Sequence, residues 1–597
     1  MCGIAGGFNF SKNKINLKQD ISKVLDFQHN RGPDSRGLWL SDSSNVCFGH
    51  NRLSIIDLSN KANQPFVSND ENYVITYNGE IYNYIELKTE LIKKNIKFKS
   101  SSDTEVILES YKLWGTDSFK KFRGMFAFSI FDKKKNKLIL ARDPFGIKPL
   151  YYSIQKNILY FASLVNSFKF IENFTLEYSN QNLANYYFWG NLVNTQTPYR
   201  NLHLLGGGEY LSIDLDGNVK KFKYADIKEE ILNSSILNLS NKQEINDYLK
   251  HYIDETVRYH QVADVPVSIL LSSGIDSSVI AASSNDNQNY NSITLDFEKD
   301  NKSHNESLLA KKTAKLNNLR HEVLKLNNDE VEQYIADYLK YMDVPSNDGL
   351  NNFIISSKAK SFGSKVIVSG VGSDELFAGY PSFSRIPKIN NIFKHLPYNK
   401  TLNFLFENSM NFLCKVLKLN SKFTQIYKYG KNISDAFFLQ RCLFIPKEIK
   451  QILRDTNLKD FIKPHEIINE LNDEIIQIKN KRLKITYLEL KYYLIPKLLR
   501  DADWSTMSNS VELRTPFVDF HFFKKILPFL NSRNFINKKV LFYAYKSKLP
   551  KELLTRKKTG FSVPYSGKNN FNNTLNNKYF TENQKWSLNT INNYLNL

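Results

Sequence analysis

The chain has few cysteines, few acidic residues relative to basic ones, and no long apolar run. Its 597 residues include four cysteines, Cys2, Cys47, Cys414 and Cys442, which lie far apart and form no CxxC pair. That spacing argues against a zinc cluster or a disulfide framework and fits a reducing cytosol. The apolar stretches, such as Met125 to Phe131, fall far short of the ~20 residues that span a bilayer. No basic segment followed by an apolar one opens the chain, so no leader peptide is expected. A cytoplasmic protein without membrane insertion is the expectation. Asp and Glu total 60 against 81 Lys and Arg, a net charge of +21. The basic residues are dispersed, and no basic block or RNA-binding motif stands out. Nucleic acid is therefore not an expected partner; a solvated lysine-rich surface that attracts anionic small molecules is.

What is present is enough for two or more packed domains. Residues 1–212 read as short strands with Gly-rich turns and a few helices. Alternation marks strands at Tyr73 to Tyr77 and Phe126 to Phe131. Helical spacing marks 84–96 and 103–114, with Asp103 as a plausible N-cap. Residues 213–242 are polar and read as a connector. From 243 to 597 strands alternate with helices. The near-continuous apolar runs Val267 to Leu271 and Val366 to Val368 predict buried parallel strands of a doubly wound α/β domain. Residues 385–500 look mostly helical, and the Asn-rich tail after Gly567 is expected to be partly disordered.

The most informative residue is Cys2. If Met1 is removed, Cys2 carries a thiol and a free α-amine, whose pKa of about 7.7–8.0 leaves part of it unprotonated at neutral pH. The amine can take the thiol proton, and the thiolate is the stronger nucleophile. A thiol amidase acting on glutamine also needs a cation for the substrate α-carboxylate, acidic groups for its ammonium and two donors for the tetrahedral oxyanion. Arg52 offers a bidentate fork. Glu80 and Asp103 offer the acidic side. The Asn78 amide and the Gly79 N–H offer an oxyanion hole. Taken singly, each has a plainer reading: Arg52 as a surface ion pair, Asn78-Gly79 as a hairpin turn, Asp103 as a helix cap. Together Cys2-Gly3-Ile4, His29 to Asp34, Arg52 to Ile55, Tyr77 to Asn83 and Ser102-Asp103 resemble the glutaminase domain of the class II amidotransferases, which are N-terminal-nucleophile hydrolases. The resemblance implies a layered αββα fold with Cys2 as nucleophile and Arg31 near the ammonia exit. Arg142 to Tyr152 resembles the later, structural part of that domain.

A second constellation follows the apolar run ending at Leu271. Ser272-Ser273-Gly274-Ile275-Asp276-Ser277-Ser278 combines hydroxyls, a flexible Gly274 and a helix N-terminus, which together cradle an anion. The Gly-Lys-Ser/Thr ending of a Walker A loop is missing. Ser369-Gly370-Val371-Gly372-Ser373-Asp374 follows another buried strand, and both loops would face one ligand at the carboxyl edge of the sheet. Asp276 and Asp374 can hold Mg²⁺ there, with Ser369 and Gly370 against the nucleotide. These loops, with Glu512 to Asp519 and Arg556-Lys557-Lys558-Thr559-Gly560-Phe561, resemble the synthetase domain of glutamine-dependent asparagine synthetases. The resemblance covers nearly the whole chain. It implies ATP held at Leu271, Ser272, Gly274, Asp276, Ser277, Ser369 and Gly370, with Lys558 as the phosphate and intermediate lysine. It also implies ammonia channelled from Cys2 to an acyl-adenylate, with glutamine, ATP and a carboxylate acceptor, aspartate favoured, as substrates. The assembly is left between monomer and homodimer.

Two segments depart from that pattern. Many such synthetases carry an acid between the first two glycines of SGxGxDE, where this chain has Val371. Asp343 to Asn352 lacks the Thr/Arg cluster that some present to aspartate. With Gly379 to Phe383 it resembles a branch tied to surface polysaccharides, which implies a sugar uronic acid as the alternative acceptor. A β-lactam-forming cyclase would have lost the nucleophilic cysteine. A non-catalytic regulator would show eroded motifs.

Overall fold

The computed structural model describes residues 2–11, 15–284, 290–297, 301–397, 399–417, 419–556 and 580–596. Two six-stranded antiparallel sheets build the first domain. One runs in the spatial order His203–Leu204, Tyr151–Gln155, Ile158–Ala162, Gly3–Asn9, Val46–Arg52, Ser35–Leu40; the other runs Val219–Lys223, Glu209–Asp214, Lys137–Arg142, Gly124–Asp132, Tyr73–Ile81, Phe66–Val67. The period-two alternation read in the sequence sorts their side chains. Ile4, Phe8 and Phe48 of one sheet meet Val74, Phe131 and Leu140 of the other in a buried layer. Phe126, Phe128 and Ile130 point the opposite way, beneath Leu87 and Leu91 of helix Tyr84–Ile92 and Val106 and Ile107 of helix Asp103–Trp114. Helix Leu17–Phe27 covers the first sheet through Ile21, Val24 and Leu25. The layers are therefore αββα, as the resemblance implied.

The third sheet is parallel, in the order Arg320–Leu326, Asn291–Phe297, Val267–Leu270, Val366–Val368, Glu512–Arg514. Counted along the chain this is third, second, first, fourth, fifth, a doubly wound arrangement. The order reverses between Val267–Leu270 and Val366–Val368, so the loops leaving these two strands flank the switch point where such sheets bind ligands.

Two local expectations changed, and a third, partial disorder after Gly567, falls in part on residues 568–579, which lie outside the described residues. Residues 213–242, read as a connector, carry a strand, Val219–Lys223, paired with Glu209–Ile213, and a helix, Ile227–Leu232. In the Asn-rich tail, residues 582–596 form a helix whose Leu588, Ile591 and Tyr594 are buried. The N-cap of helix Asp103–Trp114 is Ser102, whose side chain accepts from the Thr104 N–H at 3.1 Å. That frees Asp103 for another use.

Candidate active sites

The first site lies where one edge of the two sheets comes together. Gly3 pairs with Asn51, so Cys2 enters its strand beside the end of Val46–Arg52. From the facing sheet, strand Tyr73–Ile81 brings Asn78, Gly79 and Glu80. Asn78-Gly79 is not a hairpin turn here: both residues sit in register opposite Ala127 and Phe126. The sheet overrides the local turn preference because its hydrogen bonds and buried faces leave no room for one.

Asn78 is fully buried. Its Oδ1 accepts from the Cys2 backbone N–H at 2.9 Å, and its Nδ2 has no protein partner. A buried unpaired donor costs free energy unless something fills it. Glu80, two residues on and so on the same strand face, likewise leaves Oε2 unpartnered. Its Oε1 lies 3.6 Å from Nη2 of Arg514. Burial, followed by the negative field of Glu512, pushes the Glu80 carboxyl well above its ordinary range. Two unpartnered polar atoms thus lie on one face of the strand whose Asn78 binds the Cys2 backbone.

Burial raises the Cys2 thiol pKa; a hydrogen bond from the Leu53 N–H and the positive field of Arg52 oppose that rise. Arg52 is anchored by its own loop, donating through Nη1 to the Ser59 carbonyl at 2.9 Å and to Asn63 Oδ1 at 3.0 Å. Asp103 accepts from the Tyr77 hydroxyl at 2.8 Å and the Ile81 N–H at 3.0 Å, which fixes its carboxylate against the strand that bears Asn78 and Glu80, close enough for its charge to act on Glu80. Gly79, at φ 153°, admits no side chain, since a Cβ there would lie 2.1 Å from the Met125 carbonyl oxygen. Gly79→Ala is expected to lower stability by about 1–3 kcal/mol and to weaken glutamine hydrolysis; thermal melts and glutamate release check both.

Arg31 ties this site to the second domain. Its Nε donates to the Cys2 carbonyl at 3.1 Å, and its Nη1 to Asp503 Oδ2 at 2.9 Å. Lys148 adds its charge to Asp503 at 3.6 Å. All three are buried. Arg514 plays the reverse part: it holds Glu512 at 2.5 Å within its own strand and faces Glu80 across the domain boundary. Sequence motifs pointed to Arg31. They gave no sign of Asp503 or of a partner for Glu80, because no local spacing marks a contact between domains.

The second site is the cleft at the switch point. Helix Ile275–Ser283 begins after Gly274 with no side-chain cap, so its first N–H groups remain open to an anion. The Ser277 hydroxyl accepts from the Ser272 N–H at 3.0 Å, and Ser272 Oγ accepts from the Gly274 N–H at 3.2 Å, which tightens the loop. The Leu271 side chain is buried against Ala281, Ala310 and Ala314. The second loop comes so close that a Cβ on Gly370 would lie 2.6 Å from that of Asp276. Ser369 is fixed by its N–H to the Arg514 carbonyl at 2.8 Å.

Asp276 and Asp374 do converge, and a residue absent from the sequence reading joins them. Lys538 donates to Asp276 Oδ2, and to Asp374 Oδ1 at 2.6 Å. The Ser373 hydroxyl donates to Asp276 Oδ1. Burial raises the Asp276 carboxyl, and Lys538 opposes that rise. Arg556, which opens the third basic segment, donates to the Ser273 carbonyl at 3.3 Å and pairs with Glu306. Lys558 lies outside the described residues. Together Ser272, Gly274, Asp276, Tyr380, Lys538 and Arg556 line a cleft of about 540 Å³. Asn347 lines a neighbouring cavity of about 270 Å³ with Lys422, Arg441, Tyr493 and Lys497. The Arg441 guanidinium lies 3.7 Å over the Tyr493 ring and 4.6 Å over that of Tyr380, a stack that divides the cavity from the cleft.

A buried thiol beside an orphaned amide donor, in an αββα domain joined to a doubly wound domain with an anion cradle, defines a two-domain glutamine amidotransferase. The chain matches the glutamine amidotransferase domain over residues 1–225 and asparagine synthase over residues 248–587; it belongs to the asparagine synthase family. Asparagine synthetase [glutamine-hydrolyzing] 1 of Bacillus subtilis is 30% identical over 94% of this chain and 87% of its own length. A putative asparagine synthetase [glutamine-hydrolyzing] of Mycobacterium tuberculosis strain H37Rv is 29% identical over 91% of this chain and 84% of its own. Amidase chry2 of Gibberella zeae is 31% identical over 61% of this chain and 56% of its own. The chain is an ATP-dependent carbon–nitrogen ligase that takes its nitrogen from glutamine.

Proposed function

We propose that the chain makes asparagine from aspartate, with glutamine hydrolysed at Cys2 and aspartate adenylated in the 540 Å³ cleft. The observation that carries the glutaminase half is the pair of orphaned atoms on one strand face, Asn78 Nδ2 and Glu80 Oε2. With Cys2 as the mature N-terminus, its amine takes the thiol proton and Sγ attacks the glutamine amide carbon. Asn78 Nδ2 and the Gly79 N–H stabilise the oxyanion. Arg52 holds the substrate carboxylate, and Glu80 and Asp103 face its ammonium. Collapse of the tetrahedral intermediate expels ammonia, the proton returning from the amine, and water hydrolyses the thioester to glutamate. Ammonia passes the Arg31–Asp503 link into the second domain.

There the acceptor carboxylate oxygen attacks the α-phosphorus of ATP and pyrophosphate leaves. Ammonia then adds to the acyl carbon, loses a proton and displaces AMP. The helix start after Gly274 and Lys538 face the phosphates. Asp276 and Asp374 suit Mg²⁺: they offer hard oxygen donors and already converge on a cation, the Lys538 ammonium. Two carboxylates leave most of an octahedral shell to water and phosphate oxygens, as Mg²⁺ prefers. Bound there, Mg²⁺ would neutralise charge on the phosphates.

A second reading keeps this chemistry and changes the acceptor to another carboxylate, such as a sugar uronic acid. Two observations favour it. Val371 packs against the hydrophobic core and offers no proton acceptor. The cavity at Asn347 presents Lys422, Arg441 and Lys497 beside aromatic and amide side chains, a lining suited to an acid larger than aspartate. Pyrophosphate release with ATP, glutamine and each acceptor decides between them. Aspartate is expected to give release well above background; background release with aspartate and turnover with a uronate would overturn the first reading.

A further inference from the structure

We propose that the helix Lys400–Val416, with the segments flanking it, docks on an anionic lipid surface. This helix wears its apolar side outward. Leu402, Leu405, Phe412 and Val416 follow a three-four spacing that places them on one face, and all are exposed, Phe412 at 69% and Val416 at 60%. Ile392 of the preceding helix Ser382–Phe393 and Phe404 are exposed as well, at 65% and 63%. The inner face is accounted for: the Phe406 ring packs 5.7 Å from that of Tyr427 and 6.3 Å from that of Phe393. An exposed apolar helix face of this kind marks an interaction site.

Charge selects the partner. Residues 385–422 hold seven Lys and Arg and one acidic residue, Glu407, and that carboxylate lies 3.7 Å from Lys447. Arg385, Lys388, Lys394 and Lys400 are exposed and meet no carboxylate among the described residues. A second copy of the chain laid on this face would bring two such basic rims together in a protein of net charge +21, which disfavours it. An anionic headgroup layer satisfies both features: lysines reach the headgroups while leucine and phenylalanine enter the acyl boundary, as in interfacial helices that lie in the membrane plane. No helix of the described residues is long and apolar enough to cross a membrane, so the contact is peripheral.

Sedimentation of the full chain with vesicles tests this. Vesicles of phosphatidylcholine containing phosphatidylglycerol are expected to bind about tenfold more protein than phosphatidylcholine alone, and salt should weaken the binding. The double variant Leu405→Ser/Phe412→Ser changes only exposed side chains. It is expected to bind anionic vesicles about tenfold less while its glutaminase activity stays normal. Equal binding to both vesicle types would overturn the proposal, as would binding untouched by the double variant. A concentration-dependent dimer that the same variant abolishes, without vesicle binding, would assign the face to a second copy instead.

Discussion

A Cys2→Ala enzyme is expected to lose glutamine-dependent product by at least ~10³-fold and to keep ammonia-dependent synthesis when ammonium is supplied in excess. The expectation follows from which atoms the change removes. Only Sγ goes. The backbone N–H that Asn78 accepts and the carbonyl that Arg31 binds both remain, so the Arg31–Asp503 link is undisturbed. Cys2 is buried but precedes its strand, outside the layer built by Ile4 and Phe8, so the fold is expected to survive loss of the thiol. Synthesis from added ammonia needs the second domain alone. Glutamate release and AMP release, measured with glutamine and then with ammonium, separate the two halves. Loss of both activities in a folded variant would mean that the thiol also supports the synthetase site, and the division of labour proposed here would fail.

Residues whose chemistry dictates their type were legible from the sequence. A nucleophile next to the initiator Met, an amide donor followed by glycine, and two Ser/Gly loops behind apolar strands each state a requirement that few residue types meet. The doubly wound sheet was legible for a related reason: the unbroken apolar run at Val267 declares a strand buried on both faces. The αββα layering came through the family resemblance, because alternation at Phe126 to Phe131 marks a strand without showing that both of its faces are buried. What stayed hidden depends on tertiary context. Nothing in Asn537-Lys538-Lys539 distinguishes Lys538 from a surface lysine until the fold sets it between two carboxylates from two different loops. Arg514 and Glu80 face each other from separate domains. The assignment of Asp103 as a cap failed because Ser102, one residue earlier, has the extended backbone of a cap, at φ −73° and ψ 145°. The outward-facing apolar helix was invisible for a further reason: amphipathic spacing in a sequence does not say which face turns inward.

Lys538→Ala is expected to abolish synthesis from glutamine and from ammonia alike, by ~10²–10³-fold, and to leave glutamine hydrolysis near normal. Lys538 is mostly buried and is the cation on which Asp276 and Asp374 converge. Its removal leaves two carboxylates facing each other in a desolvated cleft, where like charges cannot both stay ionised and one takes up a proton. The phosphate loops then lose both the charge that faces pyrophosphate and the geometry that holds the second aspartate. That aspartate sits tightly: a Cβ on Gly379 would lie 1.8 Å from Asp374 Oδ1, so it has little space in which to rearrange. Lys538→Arg keeps the charge and should recover part of the rate, though a planar fork fits two separate carboxylates less well than a compact ammonium. A titration with Mg²⁺ distinguishes the two roles open to this lysine. A residue that contacts the phosphates leaves a defect that added Mg²⁺ cannot repair, and that is the expected result in a pyrophosphate-release assay. Full recovery of Lys538→Ala at high Mg²⁺ would mean that the ammonium only balances the charge of two metal ligands, and its assignment to the phosphates would be withdrawn.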